Sequence, residues 1–201
     1  MKINILNESE NRMEFELIDA SIAIANAIRR TLLSDIPHIA IDDIIIYKNT
    51  TIMNDEIIGH RISLVPLIYT GNINEIENTK VTIQKTFNID TIETLYDKDF
   101  IFESKDCKIM CGTIPIVKGW NEQEIHLEGI IRKGCHHEHS KWAVCTVCFM
   151  KHVTKDEKRI VMEFETVGSI SCKELLKKAI EIVIEKVERM DQYKVENNES
   201  N

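Results

Sequence analysis

Glycine and proline are scarce, seven and three in 201 residues, and aromatic residues make up only 6%. A chain so poor in these residues is neither collagen-like nor a proline- or glycine-rich linker. Basic residues are outnumbered, 25 against 33 acidic ones, for a formal net charge of −8. That balance argues against a protein whose main task is to neutralise phosphates along a duplex, and it points to protein partners. No apolar run approaches the roughly 18 residues that a membrane helix needs. The start Met1-Lys2-Ile3-Asn4-Ile5 has no signal-peptide core, so a soluble, intracellular chain is expected. His-Glu-x-x-His, Gly-x-Ser-x-Gly and a phosphate-cradling glycine loop are all missing, and with them the usual marks of catalysis.

What is present is the composition of a folded domain, 43% hydrophobic and 29% charged. The length permits one substantial domain or two modest ones, at about 100 to 200 residues each. Six cysteines at irregular spacings fit reduced thiols better than disulfides. The preference for Ile, Asn and Lys over Leu, Gly and Ala suggests an AT-rich genome, such as that of a large DNA virus.

Along the chain, Ile3 and Ile5, then Met13, Phe15 and Leu17, alternate with polar residues around Asn7 to Asn11, which predicts a hairpin of two half-buried strands. Asp19 or Ser21 can cap a helix over 20–34, ended by Pro37. On that helix Ala25, Ile28 and Leu32 share a face with Ile24, while Ile22, Asn26, Arg29, Arg30 and Leu33 lie opposite. Such a helix suits a place between its own domain and a second protein, with Arg supplying planar multi-donor contacts. Ile39 to Tyr47 reads as a buried strand, and Asn54, Asp55 and Glu56 as the start of a short helix to Ser63. From Ile68 the texture changes. Gly71 to Asn74 is loop-like, Val81, Ile83, Phe87 and Ile89 alternate with polar residues, and short strands are expected near 100–102, 114–117 and 124–131. Trp142 to Phe149 reads as a central strand, apolar on both faces. Its antiparallel neighbour carries Ile160, Met162 and Phe164 across a turn at Lys155 to Lys158. Ser171-x-x-Glu174 is a capping box opening a last helix, 171–192, on which Leu176, Ala179, Ile180, Val183, Val187 and Met190 form one stripe. Residues beyond Tyr193 are expected to fray.

The order of these pieces is informative. Asn26-Ala27-Ile28-Arg29-Arg30-Thr31-Leu32-Leu33-Ser34 is followed by Asp35-Ile36-Pro37 and Ala40-Ile41-Asp42. Then come Asp55-Glu56-Ile57-Ile58-Gly59-His60-Arg61 and Pro66-Leu67. This stretch resembles the dimerisation domain of the alpha-type subunits of cellular RNA polymerase, most closely the archaeal D and eukaryotic third-largest-subunit type. Glu138-His139-Ser140-Lys141-Trp142 is similar to a segment where the chain of those subunits returns to its first lobe. The resemblance implies an α+β fold, an antiparallel sheet with two interface helices. Residues 1–67 and 136–201 would make a discontinuous dimerisation domain, with a strand-rich lobe inserted over 68–135. It implies a non-catalytic assembly subunit that pairs with a smaller alpha-like chain and seats the two large catalytic subunits. The implied interface residues are Asn26, Arg29, Arg30, Leu33, Glu56, His60, Arg61, Leu176, Ile180, Val183 and Val187. A homodimeric bacterial-type subunit is disfavoured, since no linker and DNA-contacting domain follow the last helix.

The competing reading, from another class, is a small metal-dependent enzyme built on Cys107, Cys111, Cys135 to His139, Cys145 and Cys148. Tetrahedral zinc needs four converging ligands. Cys145 and Cys148, three apart in a strand, should point to opposite faces, and Cys107-x-x-x-Cys111 is a half-site without a second pair nearby. Some relatives carry a four-cysteine metal site in the inserted lobe, a pattern not reproduced here. No bound metal or cofactor is therefore expected.

Overall fold

The computed structural model describes all residues except 74, 75, 77, 78, 155–158 and 199–201, and side chains except also those of 152–154 and 193–198. The expected turn at Lys155 to Lys158 and the loop position Asn74 lie outside the described residues. The chain runs β1 (Lys2–Glu8), β2 (Arg12–Ile18), α1 (Ile22–Ser34), β3 (His38–Asn49), α2 (Asp55–Ser63), β4 (Leu67–Tyr69), β5 (Thr79–Thr86) and β6 (Glu93–Tyr96). It continues through β7 (Ile101–Phe102), β8 (Cys107–Ile109), β9 (Pro115–Gly119), β10 (Glu124–Gly134), β11 (Cys145–Thr154), β12 (Arg159–Thr166) and α3 (Cys172–Asn198). Two compact units result, residues 1–36 with 143–201, and residues 37–142. The borders expected at 67 and 136 both fall inside the second unit. The reason is pairing: β3 bonds along its length to β10, which bonds in turn to β5, so the strand after Pro37 joins the sheet of the middle portion.

In the first unit the antiparallel sheet is ordered β1-β2-β12-β11. Met13, Phe15 and Leu17 of β2 and Ile160, Met162 and Phe164 of β12 form its buried face, closed by Ala25, Ile28 and Leu32 of α1 and Leu175, Leu176 and Ala179 of α3. Phe15 and Phe164 meet edge to face, centroids 6.0 Å apart. Ser21 is the N-cap of α1, its Oγ accepting from Ile24 N at 3.3 Å. Asp19, in the left-handed region at φ 56°, turns the chain from β2 into that cap, a conformation Asp tolerates.

Several expectations change. Ile24 lies at the margin of the face centred on 25, 28 and 32, about 70° from its middle at 100° per residue, and is exposed, whereas Thr31, beside it on the wheel and two turns further along, is buried. Strand β1 is an edge, with a register shift between Ile5 and Asn7, and Ile5 is exposed although it pairs with the buried Phe15. Strand β11 is also an edge, not a central strand. Its apolar second face is Val147 and Phe149, both exposed. Helix α3 runs on to Asn198 over 27 residues, about 40 Å at 1.5 Å per residue. That exceeds both the 171–192 span and the point near Tyr193 where fraying was expected.

The second unit has the sheet β3-β10-β5-β7 and two ribbons, β4-β8 and β6-β9. Ile39 and Ile41 of β3, Ile58 and Ile62 of α2, Val81 and Ile83 of β5, and Ile125, Leu127 and Ile131 of β10 share its core. Only the first four residues of β3, His38 to Ile41, are buried throughout. From Asp42 it alternates, with Ile45 and Tyr47 exposed, because one face of this half-sheet is uncovered. Ile89, beyond the end of β5, is exposed as well. Ribbons β4-β8 and β6-β9 add the pairings Leu67 with Ile109 and Leu95 with Val117, which the sequence pattern did not reveal.

Candidate pairing surface

The implied interface residues fall into two sets, one in each unit. In the first unit, α1 carries Asn26, Arg29, Arg30 and Leu33. Asn26 Oδ1 accepts from Arg29 Nε at 3.1 Å and Nη2 at 2.9 Å, so Asn26 orients Arg29, leaving Arg30 exposed. Leu33 is half-buried against the core. On α3, Leu176 is buried in the chain's own core, Ile180 and Val183 are half-buried, and Val187 is 52% exposed. The stripe thus leaves its own sheet partway along: Ile184, Val187 and Met190 are all more than half exposed. Ser171 caps the helix as expected, its Oγ accepting from Glu174 N at 3.4 Å.

Between α1 and α3 lies a groove of about 370 Å³, lined by Ala27, Arg30, Thr31, Val183, Val187 and Met190 among others. The structure therefore brings Arg30, Val183 and Val187 onto one surface. At its α1 end sits Asp35. Partial burial pushes its carboxyl up, but hydrogen bonds from Lys186, Ser34 and Thr31 and the Lys186 charge outweigh this and lower it below the ordinary value. The carboxylate is the form present at neutral pH.

In the second unit, Glu56, His60 and Arg61 of α2 are exposed. Acidic Asp55 and Glu56 lie in the first turn and His60 and Arg61 in the last, in the sense that favours the helix dipole. Asn54 is the N-cap residue, but its side chain makes no cap bond. Asp55 instead accepts from Asn49 Nδ2 at 2.6 Å. Arg61 Nη2 donates to Pro115 O.

The Glu-His-x-Lys-Trp segment is a structural corner. Glu138 Oε1 accepts from Cys135 N at 3.1 Å, and His139 Nδ1 from Lys141 N at 3.1 Å. Lys141, its side chain 9% exposed, pairs with Asp42 and lies 4.5 Å from the centroid of the Trp142 ring. Trp142 Nε1 donates to Arg132 O at 3.2 Å. Gly134 lets the indole approach, since a Cβ there would stand 2.5 Å from the ring.

Two polar residues of note escaped the sequence reading. Asp97 is fully buried and accepts from the backbone N–H of Gly112 at 2.9 Å, Ile114 at 2.9 Å and Lys98 at 3.1 Å. Glu163 is 2% exposed beneath Arg12 and Lys151, with which it pairs. Only spacing in three dimensions marks either one.

The thiols correct one expectation. Cys145 and Cys148 are both buried in the core, on one face, because β11 shifts register between Cys145 and Val147 and the extra residue reverses the alternation. Desolvation pushes Cys145 up to about 11 and Cys148 up to about 12, so neither is a ready thiolate. Cys107 is buried and Cys111 exposed. Among the described residues no group of three or more His, Cys, Asp or Glu side chains is placed to hold a metal ion.

In the first unit two helices back one face of an antiparallel sheet, and the apolar stripe of α3 runs on past its buried part. Residues 14–187 match the family described as the RNA polymerase Rpb3/Rpb11 dimerisation domain, and the chain belongs to that family. It is similar to the DNA-directed RNA polymerase subunit Rpo3 of Methanocaldococcus jannaschii, 32% identical over 189 residues that cover 92% of this chain and 94% of that one. Rpo3 of Methanobrevibacter smithii is 29% identical over 161 residues, 75% of this chain and 58% of its own. The DNA-directed RNA polymerases I and III subunit rpac1 of Dictyostelium discoideum is 33% identical over 177 residues, 74% and 51%. The chain thus spans little more than half the length of the last two.

Proposed function

We propose that this chain is a non-catalytic assembly subunit of a DNA-directed RNA polymerase. It pairs through α1 and α3 with a smaller alpha-like chain, and the pair seats the two large catalytic subunits inside the cell. The observation that carries this reading is the α3 stripe, which is core at Leu176 and Ala179 and exposed at Ile184, Val187 and Met190, in a chain of a dimerisation-domain family. Apolar patches beyond a few hundred Å² are rarely left bare. The sites on α2, at Glu56, His60 and Arg61, belong to the seating of the large subunits.

Made alone, the chain is expected to self-associate or aggregate, and co-expression with its small partner should give a defined one-to-one complex by size-exclusion chromatography with light scattering. A stable, monodisperse monomer that ignores the small chain would overturn the reading. Arg30→Ala should keep that complex but lose large-subunit capture in a pull-down, since one desolvated arginine contact can contribute about 2 kcal/mol or more. Complete polymerase at wild-type yield in stringent salt would refute the docking role.

We also propose that the chain binds no stoichiometric metal: among the described residues no three His, Cys, Asp or Glu side chains converge, and Cys107 is buried while Cys111 is exposed. Elemental analysis of protein purified without chelator should give well under one zinc or iron per chain. About one per chain would revive the metal-enzyme reading.

A further inference from the structure

Helix α1 ends without a basic residue in its last turn, although a helix C-terminus carries partial negative charge that a nearby cation offsets. That cation comes from α3. Lys186 Nζ pairs with Asp35, the C-cap residue of α1. Asp35 also accepts from Thr31 Oγ1 at 3.3 Å and Ser34 Oγ at 2.8 Å. Other cations of α3 are engaged elsewhere: Lys177 with Glu181, Lys178 with Glu174 and Arg189 with Glu185 along the helix, and Lys173 with Glu8 of β1. Lys186 is the one that reaches α1 among these described pairs. Its position is informative. Helix α3 has buried or half-buried residues as far as Val183, whereas every residue from 184 to 192 is exposed. The ion pair therefore sits where α3 leaves its own core, on the wall of the groove.

We propose that the Lys186–Asp35 ion pair is a positioning device: it holds the distal part of α3 at a set distance from α1 and so shapes the groove that the smaller alpha-like chain enters. This rests on the pairing role proposed above. Lys186 is half exposed, and exposed ion pairs add little to folding stability, so its effect lies in pre-ordering the surface. An overhang already held in its bound geometry loses less conformational freedom on association. When the second chain covers the groove it removes water from the pair, and the attraction strengthens as the local dielectric falls.

The test uses the full chain and the small alpha-like chain from the same source, with pairing affinity and amide hydrogen exchange over residues 184–192 as readouts. Lys186→Met keeps most of the aliphatic stem and removes the charge, and Asp35→Asn removes the acceptor charge. Each should weaken pairing about tenfold or more, speed exchange over 184–192, and move the thermal midpoint by less than about 3 °C. Lys186→Arg, and the reversed pair Asp35→Lys with Lys186→Asp, should recover most of the affinity. Wild-type affinity in Lys186→Met, or a reversed pair no better than the single changes, overturns the positioning role while leaving the pairing role standing. A large fall in the midpoint of both single variants marks an ordinary folding contact and overturns it too. A wild-type chain that does not bind the small chain at all overturns both.

Discussion

Asp97→Ala is expected to lower the stability of the second unit by about 3 to 5 kcal/mol, since it strips a buried carboxylate from three part-buried backbone N–H groups at once. The carboxylate divides its work. Oδ1 accepts from Ile114 and Lys98, and Oδ2 accepts from Gly112. Those bonds join the turn after β6 to the segment between β8 and β9, including Gly112 at φ 77°, where few other residues would be at ease. Asp97→Asn tests the chemistry apart from the volume. Its amide nitrogen would face one of these N–H donors and could not accept, so it should cost less than alanine but remain clearly destabilising. Urea denaturation gives the free energy, and amide exchange at Gly112 and Ile114 locates it. An unchanged midpoint with both amides still protected would show that the carboxylate is dispensable.

Leu32→Ala is the second large effect. Leu32 is fully buried in the core that α1 shares with β2, β12 and α3, and removing its outer atoms should cost about 2 to 5 kcal/mol through lost transfer energy and a residual cavity. The same change should weaken pairing with the small chain, because Leu32 anchors α1, one wall of the pairing groove, to its own core. Ile22→Ala, on the exposed first turn, is the control and should stay within about 0.5 kcal/mol of wild type. Thermal or urea unfolding of the three proteins, with pairing measured on the same preparations, checks both statements. Equal midpoints for Leu32→Ala and Ile22→Ala would contradict the assignment of the inner face.

Local patterns carried much of the architecture. Ser21 and Ser171 each sit at the start of a helix and each accepts the N–H three residues on, because an N-cap needs only a side-chain oxygen at the right offset. The alternation of Met13, Phe15 and Leu17 with that of Ile160, Met162 and Phe164 marked two strands, and those strands pair directly. The order of motifs from Asn26 to Leu67 carries the resemblance to the family that residues 14–187 match. These features are set by neighbours within a few residues, which a sequence displays.

What the sequence by itself determined, then, is the α+β class, the two sheet-backing helices and the family. Tertiary structure alone decided how the strands were shared out. Nothing near Pro37 announces that β3 will bond to β10 some eighty residues later, so the unit border at 36 and 37 was not legible. The register shift that puts Cys145 and Cys148 on one face adds a single residue to one strand, and its position depends on the partner strand. Asp97, Glu163 and the Lys186–Asp35 pair are charged residues whose roles come from groups distant in the chain. In the sequence they look like any solvated charge, because burial and charge pairing are properties of the folded surroundings and not of the residue.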